Sequence, residues 1–167
     1  MPMVPFDTLP NDARAWIFGA RTPLDEVDGP RLLGAVDAYL SSWRAHGTPL
    51  VCARDFRDRH FLAVGVDERA SDASGCSIDG LFSVLQEIET GIGTSMVGGG
   101  VVFFRDATGM VHGCTRAEFG HMAAMGEIDL GTPVFDITLS TVGEYRSVFE
   151  RPARQSWHAE LYPAPKR

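Results

Sequence analysis

At 167 residues, with 44% hydrophobic and 22% charged side chains, the chain has the size and composition of one ordinary globular domain and is too apolar to be disordered. Its formal net charge of −7 excludes recognition of nucleic acid mainly through surface charge and disfavours adhesion to an anionic membrane. No segment approaches the ~18 apolar residues of a membrane span. The first ten residues lack both the basic and the apolar parts of a secretory signal. Cys52, Cys76 and Cys114 are odd in number and contain no CxxC, which points away from a disulfide framework and toward the reducing cytoplasm.

Residues 1–12 read as an N-terminal extension and residues 13–167 as a single α+β domain. The apolar run 15–20 suits a buried strand. Asp28 or Gly29 can cap a helix with Pro30 in its first turn, and Leu32, Leu33, Val36, Tyr39, Leu40 and Trp43 recur at helical spacing. Gly47, just after His46, is the expected stop. Two apolar runs, 49–56 and 60–66, flank the polar turn Arg57-Asp58-Arg59 and predict a hairpin, so Arg54, Arg57 and Arg59 read as turn residues, not as an anion site.

A loop of small residues leads to a second helix whose apolar face is Ile78, Leu81, Phe82, Leu85, Ile88 and Ile92, ended by Gly91 and Gly93. The tract Gly98-Gly99-Gly100 reads as a mobile link into a second hairpin, 101–104 and 110–114, turned by Asp106-Ala107-Thr108-Gly109. A short helix is expected at 116–125, a weak strand at 134–139 and a further helix at 141–149. The first six elements run β-α-β-β-α-β. That order predicts a ferredoxin-like unit, a four-stranded antiparallel sheet with both helices on one face, plus a C-terminal extension.

Among chemically capable residues, the stretch 74–79 stands out. Cys76 sits at the mouth of a helix, where unpaired N–H groups favour a thiolate or a bound anion. Ser74, Gly75, Ser77 and Asp79 are the candidate ligand-binding residues around it, although the charge of Asp79 opposes a thiolate. His46 and His158 are the candidate bases for a Cys–His pair. The competing reading makes Ser74 or Ser77 an N-cap, Cys76 a small buried hydrophobe and His46 a cap on helix carbonyls. His112, Cys114 and His121 lack paired metal-ligand spacing, so no metal or other cofactor is expected. There is no GxxxxGK[ST], and Gly91-Ile92-Gly93 follows a helix instead of a strand.

Trp43 with His46-Gly47, then Val66-Asp67-Glu68, the Ser-Gly-Cys-Ser-Ile-Asp stretch and Ser156-Trp157-His158 together resemble a family of short bacterial proteins of unassigned function. Its members are sometimes labelled "ABC transporter ATPase", a label that implies a phosphate loop this chain lacks. The reading that follows is a small non-catalytic module, in monomeric or homodimeric form, that binds a protein or small molecule through its sheet or the Cys76 loop. The alternative is a thiol-dependent enzyme of transfer or hydrolysis using Cys76. Purified protein is expected not to hydrolyse ATP; phosphate release above background that point substitutions in this chain abolish would refute this.

Overall fold

The computed structural model describes residues 3–69, 73 and 75–165, with the side chains of residues 75 and 76 set aside. Mixed α and β elements form four helices and antiparallel sheets among these residues. The first strand, β1 (Arg14–Gly19), is followed by α1 (Asp28–Ser41), a two-residue ladder of β2 (Arg44–Ala45) with β3 (Thr48–Pro49), and the hairpin β4 (Val51–Arg57) and β5 (Phe61–Asp67). Then come α2 (Gly75–Ile92), the hairpin β6 (Val101–Arg105) and β7 (Val111–Thr115), α3 (Arg116–Ala124), β8 (Pro133–Phe135), α4 (Val142–Val148) and β9 (Glu150–Pro152). Both hairpins, both long helices and the short helices at 116–124 and 142–148 lie where their apolar periods put them.

The caps of α1 differ from expectation. Asp25 Oδ1 accepts from the amides of Val27 at 2.9 Å and Asp28 at 2.7 Å, so the cap lies upstream of Asp28. The helix stops at Ser41, because Trp43 turns inward and is buried. Gly47 (φ 81°) and His46 (φ 52°) instead form the tight β2–β3 turn, where a positive φ favours glycine. His46 is therefore exposed on a hairpin and is not at a helix terminus.

The first sheet has the order β1-β5-β4, all antiparallel. This matches three strands of the expected sheet, but β6 does not join it. β6 pairs with β7 and β8 in a second sheet of order β7-β6-β8-β9. The reason is burial on both faces. Phe103 of β6 packs toward the first sheet, while Val102 and Phe104 pack on the other side. The fourth strand of a one-sided sheet would leave one of those faces in water.

Four layers result. Helices α1 and α2 cover one face of the first sheet, through Leu32, Val36, Leu40, Leu81 and Leu85 against Phe18, Leu62 and Val64. The other face carries Ile17, Phe61 and Ala63 and receives Phe103 and Phe135 of the second sheet and Phe149 at the end of α4. Helix α3 and the 3-10 turn Trp157–Leu161 close the far face of the second sheet around Phe119. Residues 3–12 dock on the first sheet: Val4 N–H donates to Cys52 O at 2.9 Å, and Leu9 is buried beside Ala15 and Ala53. Small residues make this approach possible, since a Cβ at Gly65 would overlap Leu9 and one at Gly19 would overlap the Phe103 ring.

Leu40 and Leu85 are fully buried on the facing sides of the two long helices, whereas Leu33 and Phe82 are half-buried at the margin. Leu40→Ala and Leu85→Ala are each expected to cost about 2–5 kcal/mol, read as a lowered denaturant midpoint. Unchanged midpoints in both variants would show that these positions do not carry the core.

Candidate functional site

The residues marked by sequence fall in separate places. Ser74 lies outside the described residues. Gly75 opens α2, and the Cys76 backbone lies in its first turn, but the Cys76 side chain is not among those described. Asp79 is exposed on the second turn. Ser77 is buried and ties α2 to its surroundings: its hydroxyl donates to Arg44 O at 2.7 Å, and its carbonyl accepts from Trp43 Nε1 at 2.9 Å and the Tyr39 hydroxyl at 2.6 Å. A Cβ at Gly80 would overlap that hydroxyl. These bonds bring the β2–β3 hairpin, and with it His46, to the start of α2.

His158 belongs to a different layer. It is fully buried, with Nδ1 hydrogen-bonded to Ser156 Oγ at 2.7 Å and its ring stacked on Trp157. It packs with α3 behind the second sheet, whereas α2 lies on the far side of the first. Both sheets therefore separate His158 from the helix that carries Cys76. Burial lowers the His158 pKa to about 4, opposed by Asp136 and reinforced by Arg151 and Arg116. Burial also pushes the Cys52 thiol up to about 12 and Cys114 to about 11, leaving both protonated and poorly nucleophilic at neutral pH.

The basic residues of the first hairpin are committed to structure. Arg54 makes a two-pronged pair with Asp37 at 2.8 and 2.9 Å, Arg57 reaches Glu150 at 2.8 Å, and Arg59 Nε donates to Leu24 O at 2.7 Å. His60, next to Arg59, is buried and donates from Nδ1 to Ala20 O at 2.7 Å.

The outer edge of β1 is different, and sequence reading missed it. Antiparallel pairing turns alternate residues of a strand toward its two neighbours. Ala20 N–H bonds to His60 O on the β5 side, whereas Ala15 N–H donates outward to Ser140 O at 2.8 Å and Arg21 N–H outward to Ser95 O at 3.2 Å. Ile17 and Gly19 share that outward phase, and their outward N–H and C=O groups have no hydrogen-bond partner among the described residues. They line a slot of about 330 Å³.

Each wall of the slot is pinned by a carboxylate. Glu89 Oε1 accepts from the amides of Met96 at 2.5 Å and Val97 at 2.6 Å. Asp136, itself buried, accepts from the Thr138 amide at 3.0 Å and its hydroxyl at 2.5 Å, which bends residues 137–139 away from β1 just beyond the Arg14–Thr141 bridge. Backbone groups carry no residue-type signal. The available sequence clue was Gly19 at the end of an unbroken apolar run.

No family model, curated protein or solved structure matches the chain. Among the described residues no helix is long and apolar enough to cross a membrane.

His158 yields a signed pH prediction. Its ordinary value is 6.5 and its folded value about 4, so between these the unfolded chain holds a proton that the folded chain does not. Stability from this group is complete above about pH 6.5 and falls by on the order of 3 kcal/mol as pH drops to about 4. His158→Gln removes that component, so the wild-type stability should fall more steeply than the variant's from pH 7 to 4. Parallel profiles would show that His158 is not held neutral by burial.

Proposed function

We propose that the protein is a non-catalytic binding module of the cytoplasm that takes a protein or small-molecule partner in the slot beside β1. The observation that carries this reading is the pre-formed slot, with two backbone positions at its floor that no described residue pairs and a carboxylate fastening each wall. Rigid walls lower the ordering cost of binding. The separation of His158 from α2, and the high thiol pKa values of Cys52 and Cys114, support a role without covalent chemistry. The cytoplasmic assignment rests on Cys52 and Cys114 being free thiols in the core.

A thiol-dependent enzyme using Cys76 remains the second reading, favoured by one observation: Ser77 fastens the hairpin bearing His46 to the first turn of α2. The two readings separate in one experiment. Isotope-labelled protein is titrated with indole and with short capped peptides while backbone amide resonances are followed. The binding reading expects shifts at residues 16–19, 95–97 and 137–139, at least tenfold weaker binding in Ser95→Trp, where an exposed side chain at the slot's mouth becomes bulky, and binding within twofold of wild type in Cys76→Ser. Shifts confined to residues 75–79 and lost in Cys76→Ser would overturn the slot as the binding site and move it to the start of α2, where the thiol reading places it.

A further inference from the structure

Building on the slot as the binding site, we infer that its occupant is an extended apolar peptide segment of a partner protein, which adds to β1 as a short extra strand. Ile17 and Gly19 each present one N–H and one C=O to the slot, two residues and therefore about 7 Å apart. That row of alternating donors and acceptors is the complement of another strand's backbone, and buried backbone groups of this kind are nearly always paired. A compact small molecule would satisfy one residue's pair and leave the other.

The ends of the slot set the segment's length. Ser140 takes the outward amide of Ala15, and Ser95 takes that of Arg21. The six-residue separation between these clamps is about 20 Å of extended chain, room for roughly three to five added residues before the segment must arch away. This geometry favours a free peptide over a second copy of the protein, whose edge strands are held in rigid sheets.

Side chains of an added strand would alternate between two apolar walls. Those beside Trp16 and Phe18 meet Phe82, Met96 and Val97, which pack with the helical layer. Those beside Ile17 meet Val101, Ile137 and Leu139, which pack with the second sheet. The segment must therefore be apolar on both faces, unlike a surface strand with one polar face.

The probe is acetyl-Thr-Val-Ile-Val-Thr-amide, compared with the same peptide N-methylated at both Val residues and Ile, which keeps the side chains and removes the three central backbone donors. Binding of the parent peptide is expected to shift the Ile17 and Gly19 amide resonances and to slow their hydrogen exchange at least tenfold. The N-methylated peptide is expected to bind at least tenfold more weakly. Equal binding of the two peptides would overturn the added strand while leaving the binding module intact, as would indole shifting the slot resonances when the parent peptide does not. Full protection of both amides in the free protein would also overturn the inference, because residues 137–139 or a second copy would then already fill the edge. Failure of indole and both peptides to shift any slot resonance would sink the inference and the binding module together.

Discussion

Phe61 is the contact on which the arrangement of the two sheets depends. Its ring lies 4.9 Å from Phe103, 4.7 Å from Phe135 and 5.0 Å from Phe149, centroid to centroid, and so joins β5 to β6, to β8 and to the residue that caps α4. Each such pair is worth roughly 0.5–1.5 kcal/mol beyond area burial. The cluster forms only because the first sheet is thin on that face. Ala63 and Gly19 keep side-chain bulk low beside Phe61, and a Cβ at Gly19 would overlap the Phe103 ring, so the aromatic side chains can approach closely.

That packing explains the open edge of β1. The strand order β1-β5-β4 leaves a position beside β1 that β6 would fill in a four-stranded sheet. Phe103 draws β6 into the second sheet instead, stacked over the first. Among the described residues, the vacated edge is then hydrogen-bonded at its two ends only, through Ser140 and Ser95. An exposed edge strand invites aggregation in most proteins. Here the edge is recessed between pinned loops, which limits access to slender partners.

A buried carboxylate organises one of the loops that make this possible. Asp136 fastens residues 137–139 through Thr138 and lies 3.3 Å from the indole nitrogen of Trp157 and 3.7 Å from Arg151. The same cluster holds His158, whose buried Nε2, like Arg151 Nε, has no hydrogen-bond partner among the described residues. His158, a candidate base when read along the chain, is in this fold part of the scaffold behind one wall of the slot, together with Ser156 and Trp157.

Much of the local structure was legible in the residues. The helical stripe from Leu32 to Leu40, the stripe from Leu81 to Ile92 and the turns at Arg57-Asp58-Arg59 and 106–109 each place an element by short-range rules of spacing and turn chemistry. The sheet-on-sheet packing was foreshadowed by Phe61-Leu62-Ala63-Val64-Gly65-Val66, a run with no polar alternation and hence a strand buried on both faces. Such a run does not say which element covers the second face, and β-α-β-β-α-β order alone suggested that none was needed. Only tertiary structure decided that β6 stacks over β5 and does not extend its sheet, that His158 and α2 lie on opposite sides of two sheets, and that Ile17 and Gly19 keep open backbone groups. Each of those outcomes depends on which distant strands find room against a face of small side chains, a long-range packing choice that spacing along the chain does not encode.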